Sequence, residues 1–376
     1  MSAARRLCGP IDVATAWQRA WAPDRPLPLP LLLLAATETA AVEGISAAGS
    51  TPESRRRTAA ADAELVLHGP LGPRPHALPP LPAGVSPALI SHVVIEALEL
   101  EPLVVDLGCS EAPAVPHLRP SGAAGGGVAA CLSGGAAMPP QRVEALLQLG
   151  RRWGQRLVAL GRPLLLAECV PGGTSTAQAL LSGLGLEVEG LVSGSLREPA
   201  HGLKSLLVRR GLTAARLPAD AEPSAVVAAV GDAMQPLAAS LTLTAAAAGL
   251  PVLLAGGSQM AAVLALALAL APAEQRQALS RHAAVVTTAW VAEEAGSDLE
   301  RLLARIGERW QVEPLAFAAG LRFGAGCHRA LRDYERGYVK EGVGAGGLAL
   351  LWQLRGGTPA DLAARCDRAC RQLLGE

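Results

Sequence analysis

The stretch from Pro163 to Gly183 limits the fold more than any other part of this chain. Leu164-Leu165-Leu166-Ala167-Glu168 is an apolar run of strand length that ends in a carboxylate, Cys169-Val170-Pro171-Gly172-Gly173 follows as a turn, and Thr174-Ser175-Thr176 opens an Ala/Leu segment. That order reads as strand, turn and helix. In open parallel sheets ligands bind outside the carboxyl ends of the strands, where helix N-termini aim unpaired N–H groups outward. Gly172 and Gly173 let backbone come close to a bound group, and Thr174 and Ser175 can cap the helix or donate to phosphate. The same residues also suit an ordinary turn and N-cap. No Lys follows the glycines, so this is not a Walker A loop.

The joint recurs along the chain. Leu31–Ala36 reads as a strand ending at Thr37-Glu38-Thr39, Val188–Val192 as one ending at Ser193-Gly194-Ser195, and Pro251–Ala255 as one ending at Gly256-Gly257-Ser258-Gln259. Ala63–His68, Leu103–Asp106, Ala283–Thr288 and Pro314–Ala318 are further predicted strands. Helices are predicted near Ile11–Ala20, from Ser86 to Leu98, over Gln141–Leu160, toward Arg210, over Ser224–Leu250 with a break at Pro236, over Leu299–Arg309, near Arg329–Tyr338 and over 359–373. Such alternation predicts an α/β fold, a doubly wound and mostly parallel, Rossmann-like sheet, over residues 31–325, with a small helical domain built from the chain ends, 1–30 and 326–376. Residues 107–137 are a long Gly/Ala/Ser/Pro segment of the kind that is functional or mobile.

Composition narrows the partners. Lys plus Arg equals Asp plus Glu, at 33 each, so no overall field favours nucleic acid or an anionic membrane. Pro251–Ala271 is long enough to span a bilayer but is interrupted by the Gly256-Gly257-Ser258-Gln259 turn, so a soluble protein is expected. Seven cysteines, without a Cys-x-x-Cys pair or a signal peptide, predict a reducing cytoplasm. Cys366 and Cys370 read as packing residues, and neither a metal site nor a cofactor is expected.

Three motifs carry a resemblance. Glu168 to Ser175 is similar to Glu-Met-Gly-Ile-Gly-Asn-Thr-Thr, with Glu168, Gly172 and Thr174 in register and Gly173 in place of Asn. Gly256-Gly257-Ser258-Gln259-Met260 resembles a Gly-Gly turn before a small-residue helix, and Lys340-Glu341-Gly342-Val343-Gly344-Ala345 resembles Gly-Glu-Gly-Thr-Gly-Ala. These are motifs of the nicotinate-nucleotide:dimethylbenzimidazole phosphoribosyltransferase family, and the chain looks most like its uncharacterised archaeal and cyanobacterial branch from about residue 31 to 350. Lys340 stands where the better-known members have Gly, and Val343 where they have Thr.

The resemblance implies a homodimer whose substrates are nicotinate mononucleotide and an aromatic base, dimethylbenzimidazole or a purine, joined as the lower ligand of a cobamide. It implies Glu341 as the catalytic base, with Gly342 and Gly344 letting the backbone crowd the substrate. Phosphate would sit on the turns Gly172–Ser175, Ser193–Ser195 and Gly256–Ser258, with Glu168 at the ribose. Glu38, Asp106, His201, Trp290 and Lys204 are weaker candidates, and Lys204 reads as part of a solvated helix face. The rival expectation is a non-catalytic nucleotide-binding or regulatory protein on the same fold.

Overall fold

The computed structural model describes residues 4–376. Its centre is a seven-stranded sheet of β1 (Arg5–Cys8), β2 (Leu29–Leu34), β3 (Leu103–Asp106), β4 (Leu164–Cys169), β5 (Val252–Ala255), β6 (Ala283–Thr287) and β7 (Leu315–Ala318), in the order β1-β7-β6-β5-β4-β2-β3. Every neighbouring pair is parallel except β1 with β7. The predicted doubly wound α/β architecture is present.

Side-chain alternation builds two cores from one sheet. Leu31, Leu33, Leu164, Leu166, Val252 and Leu254 enter one core, whereas Leu32, Leu34, Leu165, Ala167, Leu253 and Ala255 enter the other. The first core is closed by Pro140–Leu160, Gly173–Gly183, Met234–Ala247 and Ser258–Leu270. The second is closed by Thr58–His68, Ala88–Ala97, Ala345–Leu354 and Pro359–Leu374. With helices on both faces the inner strands have no polar side, which is why they read as continuous Leu, Val and Ala runs rather than alternating ones.

Several local expectations are corrected. Ala63–His68, expected as a strand, is the end of the helix Thr58–His68. A six-residue apolar run cannot by itself separate strand from helix. Here Ala59, Ala60, Ala61 and Ala63 favour the helix, which Gly69 ends at φ 71°. Val188–Val192 is irregular, though Val188 and Val192 are buried. The break in the Ala-rich region falls at Gly231–Ala233, between Pro223–Val230 and Met234–Ala247, and Pro236 sits in the first turn of the second helix, where a missing N–H costs little. The Arg329–Tyr338 helix is two short pieces, Arg329–Arg332 and Tyr334–Arg336. Residues 107–137 hold only short 3-10 turns at Gly122–Ala124 and Leu132–Gly134.

The two chain ends meet where Arg355 donates to the carbonyls of Arg25 and Pro26, at 2.9 and 2.7 Å, and each also supplies elements to the main body. The first supplies β1, and Trp17 stacks on Phe317 of β7 at 5.2 Å. The last supplies Ala345–Leu354, which packs on β5, β6 and Ala88–Ala97, and Pro359–Leu374, which packs on both of those helices. Among the described residues, no helix is long and apolar enough to cross a membrane.

Candidate active site

A cavity of about 540 Å³ opens at the carboxyl ends of β4, β5 and β6. Glu168 lies in β4, one residue before its end, and is 4 % exposed. Its Oε2 accepts from Gln259 Nε2 at 2.7 Å. Burial, reinforced by the negative charge of Glu341, pushes its carboxyl well above the ordinary carboxylate range. Gln259 sits in the first turn of the helix after β5, and its carbonyl Oε1 is buried without a partner. A Cβ on Gly173 would lie 1.9 Å from that oxygen. Where the family motif has Asn, the missing side chain of Gly173 thus makes the room that Gln259 fills.

Glu341 lies in the loop before Ala345–Leu354. Its Oε2 accepts from Thr287 Oγ1 at 2.9 Å and from Thr288 N at 2.8 Å, and its Oε1 from Gly342 N and Gly346 N, each at 3.1 Å. Burial raises its pKa, while these four donors favour the ionised form. Val343 N donates to Glu168 O at 2.9 Å, so the segments that carry the two carboxylates are joined through backbone. Val343 itself adopts φ 54°, a left-handed conformation rare for a β-branched residue, and strain of this kind gathers at functional loops.

The Ser193–Ser195 turn closes the polar side. Ser193 N donates to Ser258 Oγ at 3.0 Å, and Ala47 N donates to Ser195 Oγ at 2.8 Å. Beneath the turn is a buried charge cluster. Lys204 Nζ donates to Ser193 O at 2.5 Å, and Lys340 pairs with Glu294, which also accepts from Ser297 Oγ at 2.7 Å. Lys340 Nζ reaches Leu196 O at 2.7 Å as well. Lys204 is fully buried, which corrects the solvated-face expectation, and burial lowers its pKa to about 7.

Glu168, Gly172, Gly173, Thr174, Glu341 and Gly342 all line the cavity, as do Ser193, Gly194, Ser195, Gly257 and Ser258. Ser175, Gly256 and Gly344 lie behind the lining. Ser175 Oγ is buried without a partner, and a Cβ on Gly344, whose φ is 77°, would stand 2.6 Å from that of Ala167. Of the weaker candidates none lines it. Asp106 shapes a turn by accepting from Gly108 N and Cys109 N at 2.9 and 2.8 Å, and Trp290 stacks on Phe323 at 5.3 Å. Glu38 pairs loosely with Arg56 at 3.9 Å, and His201 bonds Gly296 O at 2.5 Å.

Sequence reasoning missed Gln259 as a contact of Glu168, and it missed the opposite wall altogether. That wall is mostly apolar, with Leu78, Leu81, Pro82 and Val85 from an irregular segment and Leu373 and Leu374 from the last helix, and its one cation, Arg74, donates to the carbonyls of Gly69 and Pro70. Set into it are Asp62 and Ser86, with Ser86 Oγ donating to Asp62 Oδ1 at 2.6 Å. Burial pushes the Asp62 carboxyl up to about 6. Only the helix that replaced the expected second strand brings Asp62 to this wall. Among the described residues, no group of His, Cys, Asp and Glu side chains is arranged to hold a metal ion.

Residues 90–298 match a family model described as a phosphoribosyltransferase. A UPF0284 protein of Prochlorococcus marinus (strain MIT 9313) is 55 % identical over 351 residues, which are 92 % of this chain and 86 % of that protein. A UPF0284 protein of Gloeobacter violaceus is 46 % identical over 89 % of this chain and 85 % of its own length. Among solved structures, CobT from Thermus thermophilus superposes with a TM-score of 0.60 at 23 % identity, covering 96 % of this chain and 89 % of that one. A second structure from the same organism, a nicotinate-nucleotide-dimethylbenzimidazole phosphoribosyltransferase, gives 0.59 at 22 % identity over 98 % and 92 %. At those identities the structural likeness speaks for the fold.

Proposed function

Because the chain belongs to the nicotinate-nucleotide:dimethylbenzimidazole phosphoribosyltransferase family, in its UPF0284 branch, we propose that it transfers ribose 5-phosphate from nicotinate mononucleotide to an aromatic base. The observation that carries the proposal is the pairing, in one cavity, of two linked carboxylates with an anion-suited turn and a mostly apolar wall.

In this reading the phosphate rests on the amides of Gly172 and Thr174 and of Gly194 and Ser195, those of Gly173 and Ser193 being held by Val170 O and Ser258 Oγ, with the Lys204 side chain behind the second turn. Glu168 and Gln259 face the ribose. A ring nitrogen of the base attacks C1, the C1–N bond to nicotinate breaks, and its electron pair neutralises the pyridinium nitrogen of the leaving group. The proton lost from the base goes to Glu341. The donors from Thr287, Thr288, Gly342 and Gly346 fix that carboxylate and oppose the rise in pKa that burial causes, which suits a general base that must not turn away from its substrate. The protein works as a cytoplasmic homodimer that supplies cobamide lower-ligand ribotides.

A second reading, a nucleotide-binding protein without turnover, draws on the same four bonds. Both Glu341 oxygens already accept two donors, the coordination of a structural carboxylate. A product assay separates the two readings. Purified protein with nicotinate mononucleotide and either dimethylbenzimidazole or adenine is analysed by mass for nicotinate and a new ribotide. Turnover that depends on Glu341 supports the transferase, and nucleotide binding without product supports the second reading.

A further inference from the structure

We infer that Asp62, oriented by Ser86, is the residue that selects the accepted base, and that it selects a base offering an N–H donor on a second edge, an aminopurine rather than dimethylbenzimidazole. The inference rests on the transferase reading for why a base enters the cavity at all, but the geometry at Asp62 stands apart from the catalytic carboxylates.

The hydrogen-bond roles at this pair are fixed. Ser86 Oγ accepts from Ala88 N at 3.2 Å, so its own hydrogen is free to go to Asp62 Oδ1, 2.6 Å away. Asp62 Oδ2 is left with the thiol of Cys169 at 3.7 Å, a weak and distant donor. A carboxylate that is 5 % exposed therefore keeps acceptor capacity unused, on a cavity wall that includes Leu78, Leu81, Pro82 and Val85, while the one cation of that wall, Arg74, donates to the carbonyls of Gly69 and Pro70. Burying such a group is costly unless something donates to it. Of the two proposed substrates, the uncharged aromatic base is the one that suits a mostly apolar wall.

The place is right for a second edge of that base. A Cβ added to Gly342, next to Glu341, would meet Pro87 at 3.5 Å, so the Ser86–Pro87 turn flanks the loop of the proposed catalytic base. A ring whose nitrogen faces Glu341 then turns another edge toward Asp62. An exocyclic amino group or ring N–H meets Oδ2 there. The methyl groups of dimethylbenzimidazole would strip the carboxylate of solvent and give nothing back. Sites that hydrogen-bond a substrate N–H or O–H reject analogues lacking it by large factors, about 10⁴–10⁵ in favourable cases.

The test pairs direct base binding by calorimetry with turnover, for wild type, Asp62→Asn and Ser86→Ala, each checked for an unaltered thermal melt. In Asp62→Asn the Ser86 hydroxyl holds the amide oxygen, so an NH₂ replaces Oδ2 and the preference should invert from adenine toward hypoxanthine, which offers a carbonyl in place of the amino group. Wild type is expected to bind adenine at least about tenfold more tightly than dimethylbenzimidazole. Ser86→Ala should weaken that preference without inverting it. Adenine binding that inverts in Asp62→Asn, with no product from any base, would uphold the selection and sink the transferase reading. Dimethylbenzimidazole turned over as well as adenine, with Asp62→Asn keeping the same preference, would overturn the selection and leave the transferase standing. No measurable binding of either base would overturn both.

Discussion

The two walls of the cavity are built by different means. The polar wall comes from turns after β4 and β5, the Ser193–Ser195 turn and the Glu341 loop, where each functional residue sits in a short motif of glycines and hydroxyls. The apolar wall comes from residues 74–87 and the end of the last helix, far apart in sequence, and no local pattern declares it. On the transferase reading, the nucleotide would meet turns fixed by backbone geometry, and the base would meet a wall of exchangeable side chains.

The largest expected effect tests the polar wall. Glu341→Gln should lower turnover by about 10²–10⁴-fold, the usual contribution of a positioned general base, while nucleotide affinity changes only a few-fold. Its amide NH₂ would have to face two of the protein's own donors, so a melting curve must accompany the assay. Turnover within about threefold of wild type would remove Glu341 from the chemistry and leave it a loop-holding carboxylate.

Next in size is a substitution that should separate the walls. Leu78→Asp sets a carboxylate on the wall proposed to face the base and is expected to raise KM for the base by about tenfold or more, since a bound apolar ring would strip water from it. Affinity for nicotinate mononucleotide should stay put. Loss of both would mean that one site, not two walls, binds both partners.

This division also explains what could be read in advance. The central strands were legible because strands buried on both faces are unbroken apolar runs, and the site turns because Gly-Gly and Ser-Gly-Ser clusters stand right after them. Ala63–His68 was misread because its Leu65-Val66-Leu67 core fits either period, and with it went Asp62, whose role depends on being helical. β1 escaped notice because Arg5 and Arg6 make an edge strand look like a charged terminus. Lys204 was misjudged because a Lys in a helix with Arg209 and Arg210 looks solvated, and only the tertiary fold buries it under the Ser193 turn.

Gly173→Asn restores the family residue and should nevertheless harm this protein. The new side chain would enter the space of Gln259 Oε1, driving the amide off Glu168. A loss of about tenfold in kcat/KM is expected, from a coupling of about 1.4 kcal/mol between contacting residues. The double variant Gly173→Asn with Gln259→Ala should recover most of it. Additive losses would show that Gln259 and Gly173 do not share one space.

The smallest effect is a proton. Lys204 titrates near 7 because burial, helped by the charge of Lys340 and opposed by Glu294, disfavours its ammonium. At about pH 8 the ligand-free protein therefore holds it mostly neutral. A phosphate on the Ser193–Ser195 turn raises the pKa again, so nucleotide binding at that pH should take up a fraction of a proton, visible as calorimetric enthalpies that differ between buffers of unequal ionisation heat. Lys204→Met should abolish the uptake. The same shift sets the sign for stability: between about 7 and the unfolded value of 10.5 the unfolded chain binds the extra proton, so wild type gains stability relative to Lys204→Met as pH rises through that window. Proton release on nucleotide binding, or uptake that persists in Lys204→Met, would move the phosphate away from this turn and onto the Gly172 and Thr174 amides alone.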